Sequence, residues 1–198
     1  MKTRLLFSFV ICFASLAIAP CQLTTPKGSQ SEITNLKLAK LDLLIKLVPL
    51  ALQKDQYPDL LLGVEKAQVL WLNMLKEEDT KLAELDPTIS SLVGDAIQKG
   101  AYPLPDSQKE IDKQLTAMRM HRLLVHAQMV SVVLDAIKAK LNDGQIKAMA
   151  GSFPDSFIQP GVKPGELTRD EKERFFVGQV FLDPLCYDLL VEMSKHAS

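Results

Sequence analysis

The sequence has no excess of either charge. Lysine and arginine number 23 and aspartate and glutamate 24, so the formal net charge is −1. Proteins that bind nucleic acid or an acidic membrane surface by electrostatic attraction usually carry a clear positive excess, so the sequence predicts neither partner. Hydrophobic and charged residues make up 47% and 24% of the chain, which excludes a disordered protein and predicts a packed domain of ordinary size.

Patterns that carry catalysis are also missing. The nine glycines form no phosphate-binding loop, because neither Gly-x-Gly-x-x-Gly after a strand nor a Gly-Lys-Ser/Thr ending occurs. No serine stands in the strand-turn-helix setting of a nucleophile elbow, and no segment alternates polar and apolar residues like a strand. We therefore expect an all-α protein that is not an enzyme and holds no cofactor. An enzyme or cofactor-binding bundle is the minor alternative, since helical bundles can assemble sites from scattered residues.

Cysteine and histidine are scarce, at three each. His121 and His126 are five positions apart on a predicted helix, which turns them roughly 140° away from each other. Met118 and Met129 fall in an apolar helical row, so packing accounts for them without a copper site. The cysteines are too far apart in sequence to indicate a metal site. The sequence predicts no bound metal.

The first nineteen residues have the pattern of a signal peptide. Lys2 and Arg4 precede an uncharged, mostly apolar run over residues 5–19, shorter than the roughly 20 residues of a membrane span. Cleavage is expected after Ala17 rather than Ala19, because a proline directly follows the second site. The sequence thus predicts export to the periplasm or cell envelope, and an uncleaved anchor is an alternative.

Cys21 allows another interpretation of this N-terminus. A cysteine soon after an apolar run resembles the lipid-attachment cysteine of bacterial lipoproteins, although Pro20 stands where that motif has a small residue. The protein would contact a membrane only through this lipid or through an uncleaved signal. Cys21 and Cys186 could instead form a disulfide in an exported protein, whereas the leucines around Cys186 favour a small buried thiol.

One long amphipathic segment, residues 111–141, organises the rest of the chain. Its apolar residues recur at steps of three and four, which predicts a long helix. A second apolar row lies beside the first, so the buried face requires several partner helices. After a signal peptide over 1–19 and a flexible arm over 20–31, we expect a single domain over 32–198, a bundle of long antiparallel helices with short capping helices.

Prolines and capping residues divide the other segments into helices. A first helix is predicted from Ser29 or Ser31 to Pro49. A second is predicted from Tyr57 to Asp86-Pro87, where a separate short helix should begin and continue to Gly100. Two side chains on these long helices carry specific predictions. Trp71 should lie in the core, and Arg122, at an apolar position of the central helix, should have an acidic partner within the protein or face a groove open to a ligand.

Residues 152–166 form a predicted irregular connection with three prolines and two glycines. Phe153, Phe157 and Ile158 within it are large apolar residues that loops seldom leave exposed. Two roles fit this composition. The segment either covers one end of the bundle or acts as a mobile flap whose three apolar side chains contact a partner.

Two segments share a helix-capping pattern, in which side chains three positions apart are expected to bond to each other's backbone amides. They are Leu141-Asn142-x-x-Gln145 and Leu167-Thr168-x-x-Glu171. In an exported all-helical chain, they resemble the Leu-Thr-x-x-Gln turns of the Spy/CpxP family of periplasmic proteins. Asparagine replaces threonine in the first turn, and glutamate replaces glutamine in the second.

The resemblance implies a helical hairpin, often dimeric and cradle-shaped, that chaperones unfolded envelope proteins, senses envelope stress or takes part in metal-related signalling. It implies an unfolded client or another protein as partner, and it is compatible with a homodimer. A structural or regulatory module that binds one partner is the alternative.

Overall fold

The computed structural model describes residues 28–100, 102, 104–151 and 167–197, and every described element is helical. The fold is all-α, as the sequence predicts. Two long helices, α2 (Tyr57–Lys99) and α3 (Pro105–Lys140), form an antiparallel hairpin. The described shorter helices are α1 (Gln30–Leu47), α4 (Asp143–Gly151), α5 (Arg169–Phe176) and α6 (Cys186–His196).

The chain divides into two units, Met1–Ala39 and Lys40–Ser198. In the described part of the first unit, Ser29 Oγ accepts the backbone N–H of Glu32 at 3.2 Å, so the predicted cap of the first helix is present. The predicted signal peptide, its cleavage sites and Cys21 lie outside the described residues. The hydrophobic core belongs to the second unit and joins the last turns of α1 to α2, α3 and the helices that follow.

The predicted helix ends at Pro49 and Tyr57 are confirmed. α1 ends at Leu47, and a 3-10 turn, Val48–Leu50, leads to Ala51, whose φ of 45° is left-handed. α2 then begins at Tyr57 with proline in its first turn, where the missing backbone N–H would have had no helical partner.

The predicted break at Asp86-Pro87 is wrong, because α2 continues through Pro87 to Lys99. Proline removes one backbone hydrogen bond from a helix interior. Here the half-buried side chains of Leu85, Ile89 and Leu92 lie on both sides of the proline along the same helix. Packing of this continuous apolar row against α3 offsets the single lost bond, so the separate short helix does not form.

The two long helices come close together where Gly63 of α2 faces Ala136 of α3. A Cβ atom added at Gly63 would lie 2.8 Å from the Cβ atom of Ala136, closer than two carbon atoms can come without a shift. Glycine on one helix and alanine on the other therefore set the distance between the backbones. Val133 behind them is fully buried.

Burial divides the hairpin into two parts. No side chain of α2 beyond Glu78 is buried, and none of α3 before Met118. We call residues 57–78 and 118–140 the proximal hairpin, and residues 79–99 and 105–117 the distal hairpin. The proximal hairpin packs against α5, α6 and the turn between them, whereas the apolar side chains of the distal hairpin remain half-buried or exposed.

The segment after α5 supplies much of the core. α5 passes into a π-helical turn, Val177–Phe181, and the rings of Phe176 and Phe181 lie tilted to each other with centroids 6.1 Å apart. The apolar residues of this segment predict burial of Phe175, Phe176, Val180 and Phe181. The last three are buried, whereas Phe175 is half-buried. Cys186 follows as a buried free thiol, and burial raises its pKa to about 12.

The predicted core position of Trp71 is wrong, and Leu124, in the second apolar row of residues 111–141, is also exposed. Trp71 is 38% exposed and Leu124 is 61% exposed. Both follow the apolar period of their helices, but a period identifies only a helix face, and the neighbouring elements decide how wide a strip of that face is covered.

Candidate binding site

The turn before α4 is a capping box built from Asn142 and Gln145. Asn142 Oδ1 accepts the backbone N–H of Gln145 at 3.0 Å, and Gln145 Oε1 accepts the backbone N–H of Asn142 at 3.0 Å. The preceding Leu141 is buried. The predicted exchange of hydrogen bonds is therefore present in this turn.

Gln145 does more than cap its helix. Its amide exchanges hydrogen bonds of 2.9 and 3.0 Å with the amide of Gln56, and its Nε2 donates to the carbonyl of Leu50 at 3.0 Å. Gln56 also donates to the carbonyl of Lys140 at 2.9 Å. This buried pair of amides fastens the turn before α4 to the turn between α1 and α2, so its role is structural. The sequence contained no signal for Gln56 as the partner.

The turn before α5 is also a capping box, formed by Thr168 and Glu171. The carboxylate of Glu171 accepts the backbone N–H and the hydroxyl of Thr168 at 2.8 and 2.7 Å, while Thr168 Oγ1 accepts the Glu171 backbone N–H at 3.3 Å. These bonds to the charged form lower the pKa of Glu171. Leu167 before it is half-buried.

An ion pair joins the first turns of the two helices that these boxes begin. Arg169 Nη2 lies 2.8 Å from Asp143 Oδ1, and the guanidinium lowers the pKa of that carboxyl. Arg169 also bonds through Nε to the buried Glu173 at 2.9 Å. The structure thus brings the two predicted motif turns together. Their spacing in the sequence did not predict this contact.

Arg122 has the acidic partner that its position suggested. Its Nε and Nη2 atoms donate to both carboxylate oxygens of Glu78 at 2.7 to 2.9 Å. The Glu78 side chain is only 3% exposed, whereas that of Arg122 is 49% exposed. The hydrogen bonds from Arg122 lower the pKa of Glu78 despite its burial. The arginine neutralises a carboxylate in the seam of the hairpin.

Exposed apolar side chains are distributed unevenly. In the described second unit, every exposed large apolar residue lies before Val125, and none lies in 125–151 or 167–197. In the proximal hairpin α2 carries four of them and α3 three. Trp71 is 38% exposed, and the other six are between 47% and 64% exposed. We call these six the outer apolar residues: Leu62, Val69, Leu72, Met120, Leu123 and Leu124.

A cleft of about 450 Å³ opens where the proximal hairpin meets the segment after α5. α2 contributes Trp71, α3 contributes His126 and Met129, and the segment after α5 contributes Phe181 and Asp183. The ring of His126 lies against Gly178, whose added Cβ atom would be 3.5 Å from His126 Cε1. π-helical turns such as Val177–Phe181 are frequent at functional sites, and clefts between bundle helices commonly hold ligands.

Comparisons with family models, curated proteins and solved structures give no match for this chain.

The described residues contain no group of three or more His, Cys, Asp and Glu side chains placed to hold a metal ion. Among the helices that the structure describes, none combines the length and apolar character that crossing a membrane requires. Phe153, Phe157 and Ile158, the predicted partner contacts, lie outside the described residues.

Proposed function

We propose that the protein is an exported, non-enzymatic helical protein that binds apolar segments of unfolded envelope proteins. The observation that carries the proposal is the uneven distribution of exposed large apolar side chains. They are frequent on α2 and α3 up to Leu124 and missing from the described residues after it. The N-terminal pattern of a signal peptide and the two capping turns that resemble those of the Spy/CpxP family agree with this role.

The outer apolar residues supply the chemistry for such binding. Leu123 and Leu124 lie three and four positions after Met120, which is one helical turn further along α3. Each of the three side chains is more than half exposed. Burying a side chain of this size against a partner contributes roughly 1.5–3 kcal/mol. Apolar residues grouped on one helix face mark interaction surfaces more often than singly exposed ones do.

A second candidate function is a module for one helical partner. On the last turns of α1, Leu41, Ile45 and the following Val48 are 53%, 64% and 61% exposed and recur at steps of four and three. This is the spacing by which one helix packs along another in a coiled coil. It favours a single partner with a matching helix over many unfolded clients.

Suppression of aggregation tests the first function. The protein is added to a chemically unfolded, aggregating test protein, and light scattering is followed. A variant with Leu72, Leu123 and Leu124 changed to serine should lose most of the suppression. A control variant changes the exposed polar residues Asn73, Gln128 and Lys147 to serine and should retain it.

Two outcomes would reject client binding: no suppression by the unchanged protein, or equal suppression by both variants. Affinity capture from the envelope fraction then separates the two candidates. Many unrelated captured proteins would favour client binding, whereas one stoichiometric partner that is lost in an Ile45→Ser variant would favour the module. Mass determination of the mature N-terminus tests export, because cleavage after Ala17 or Ala19 and lipid attachment at Cys21 give different masses.

A further inference from the structure

The cleft beside Trp71 combines an apolar wall with one fixed charge. Its large apolar lining residues come from all three walls: Val64, Trp71, Met129, Phe181, Leu182 and Pro184. Asp183 is the one acidic residue in the described lining, and neither lysine nor arginine lines the cleft there. The polar lining is completed by Gln68 and His126.

The carboxylate of Asp183 is not neutralised by the described part of the protein. Its Oδ1 accepts the backbone N–H of Leu185 at 2.8 Å, but no described lysine, arginine or histidine lies within ion-pair distance of it. Other carboxylates at helix contacts, such as Glu78 and Glu173, are paired with basic side chains. A half-buried carboxylate beside apolar groups is stabilised by a positive charge.

We propose that this cleft binds an organic cation that carries an apolar body. The partly exposed Trp71 offers an aromatic ring, and tryptophan is the most favourable aromatic partner for a cation. Asp183 supplies the opposite charge, and the half-buried Leu182 and the exposed Pro184 contact the apolar part. The volume of about 450 Å³ lies within the range of roughly 300–1,000 Å³ that small-molecule sites occupy.

This cleft is separate from the outer apolar residues, so the inference does not depend on the proposed function. None of the six outer apolar residues lines the cleft. A failure of client binding would leave the cleft unaffected, and a failure of cation binding would leave client binding unaffected.

Fluorescence provides a direct measurement, because Trp71 is the single tryptophan of the chain. The full chain is titrated with phenyltrimethylammonium and, in parallel, with tert-butylbenzene, its neutral analogue of nearly the same shape, below the solubility limit. We expect a saturable change in Trp71 emission, with the cation bound at least tenfold more tightly than the neutral analogue. Calorimetric titration with the cation should give the same affinity.

Two substitutions identify the site. Asp183→Asn retains an oxygen that accepts the Leu185 N–H but removes the charge, and it should weaken cation binding about tenfold without affecting the neutral analogue. Asp188→Asn, on the exposed side of α6, is the matched control and should change neither. Gln68→Phe places a ring in the cleft from an exposed helix position and should abolish both titrations, whereas Gln128→Phe, outside the cleft, should not.

Circular dichroism of each variant confirms that it is folded. The proposal is overturned if the unchanged protein shows no saturable titration, or if cation and neutral analogue bind equally well. It is also overturned if Asp183→Asn or Gln68→Phe binds the cation as tightly as the unchanged chain does.

Discussion

The proximal and distal hairpins consist of the same two helices, but they bury their side chains to different extents. In the proximal hairpin, Leu60, Val133 and Ile137 are fully buried, while Leu82 and Val93 of the distal hairpin are 40% and 51% exposed. Both parts have apolar residues at helical spacing. The proximal part also has α5, α6 and the π-helical turn against it.

The comparison shows that two helices alone cannot bury an apolar row. A side chain in the seam between two helices remains open to solvent on both sides of the contact, and only a further layer removes it from water. The apolar residues of the distal hairpin therefore contribute less to stability than those of the proximal hairpin do. Such regions open locally at a lower free energy than the core does.

Truncation of a buried leucine in the proximal hairpin should lower the stability most. Leu134 is 2% exposed, so Leu134→Ala should lower the free energy of unfolding by about 2–5 kcal/mol through lost burial and a cavity. Leu92→Ala in the distal hairpin removes the same atoms from a half-buried position and should cost roughly 1 kcal/mol. Urea unfolding measures both. Leu124→Ala, at a 61% exposed position, is the control, and equal losses for Leu134 and Leu92 would contradict the division of the hairpin.

The second largest loss of stability is expected at the ion pair between Glu78 and Arg122, near the boundary between the proximal and distal hairpins. Arg122→Ala should leave the buried carboxylate of Glu78 unpaired and cost about 3 kcal/mol, the lower limit for a buried pair because Arg122 itself is half exposed. The double variant Glu78→Met with Arg122→Met should recover most of this loss. If the double variant is as unstable as the single one, the unpaired charge is not the cause.

The same pair predicts a dependence on pH. Arg122 lowers the pKa of Glu78 in the folded protein below the ordinary value of 4.5. The stabilisation is therefore complete above that value and is lost as the pH falls through the lowered pKa. The difference in stability between the unchanged protein and Arg122→Ala should shrink on acidification from pH 6 to pH 3.

Substitutions in the two capping turns should lower the stability less, and by different amounts. Gln145→Ala removes a buried amide that bonds to Gln56 and to the Leu50 carbonyl, and it should cost about 1–3 kcal/mol because buried polar groups lose their partners. Glu171→Ala breaks a capping box that faces water, so this variant should lose less stability than Gln145→Ala. Thermal unfolding measures both, and a larger loss for Glu171 would show that the buried amide pair contributes little.

The last prediction concerns the reactivity of a thiol and involves no change in stability. Burial raises the pKa of Cys186 to about 12, so almost no thiolate forms at pH 8 in the folded protein. In a chain with Cys12→Ser and Cys21→Ser, a thiol reagent should modify Cys186 only after unfolding. Adding Ser91→Cys in the exposed distal hairpin provides the control, which should react at once. Rapid modification of Cys186 without urea would contradict its burial.

Local chemistry accounts for the parts of the fold that the sequence predicted. Pro49, the Tyr57-Pro58 start and the capping residues Ser29 and Thr168 act within one helical turn, so the predicted helix ends at these positions agree with the structure. The acidic partner expected for Arg122 is also present. Its identity, Glu78, is 44 residues away, and no local pattern indicates such a distance.

The all-α class and most helix ends follow from the sequence alone, because hydrophobic period and capping are properties of neighbouring residues. Three other features depend on how distant segments pack: α2 continues through Pro87, Trp71 is exposed and lines a cleft, and Gln56 bonds to Gln145. The physical reason is the same in each case. Packing against α3 outweighs one lost hydrogen bond, and contacts between residues far apart in sequence form only when the helices are placed together.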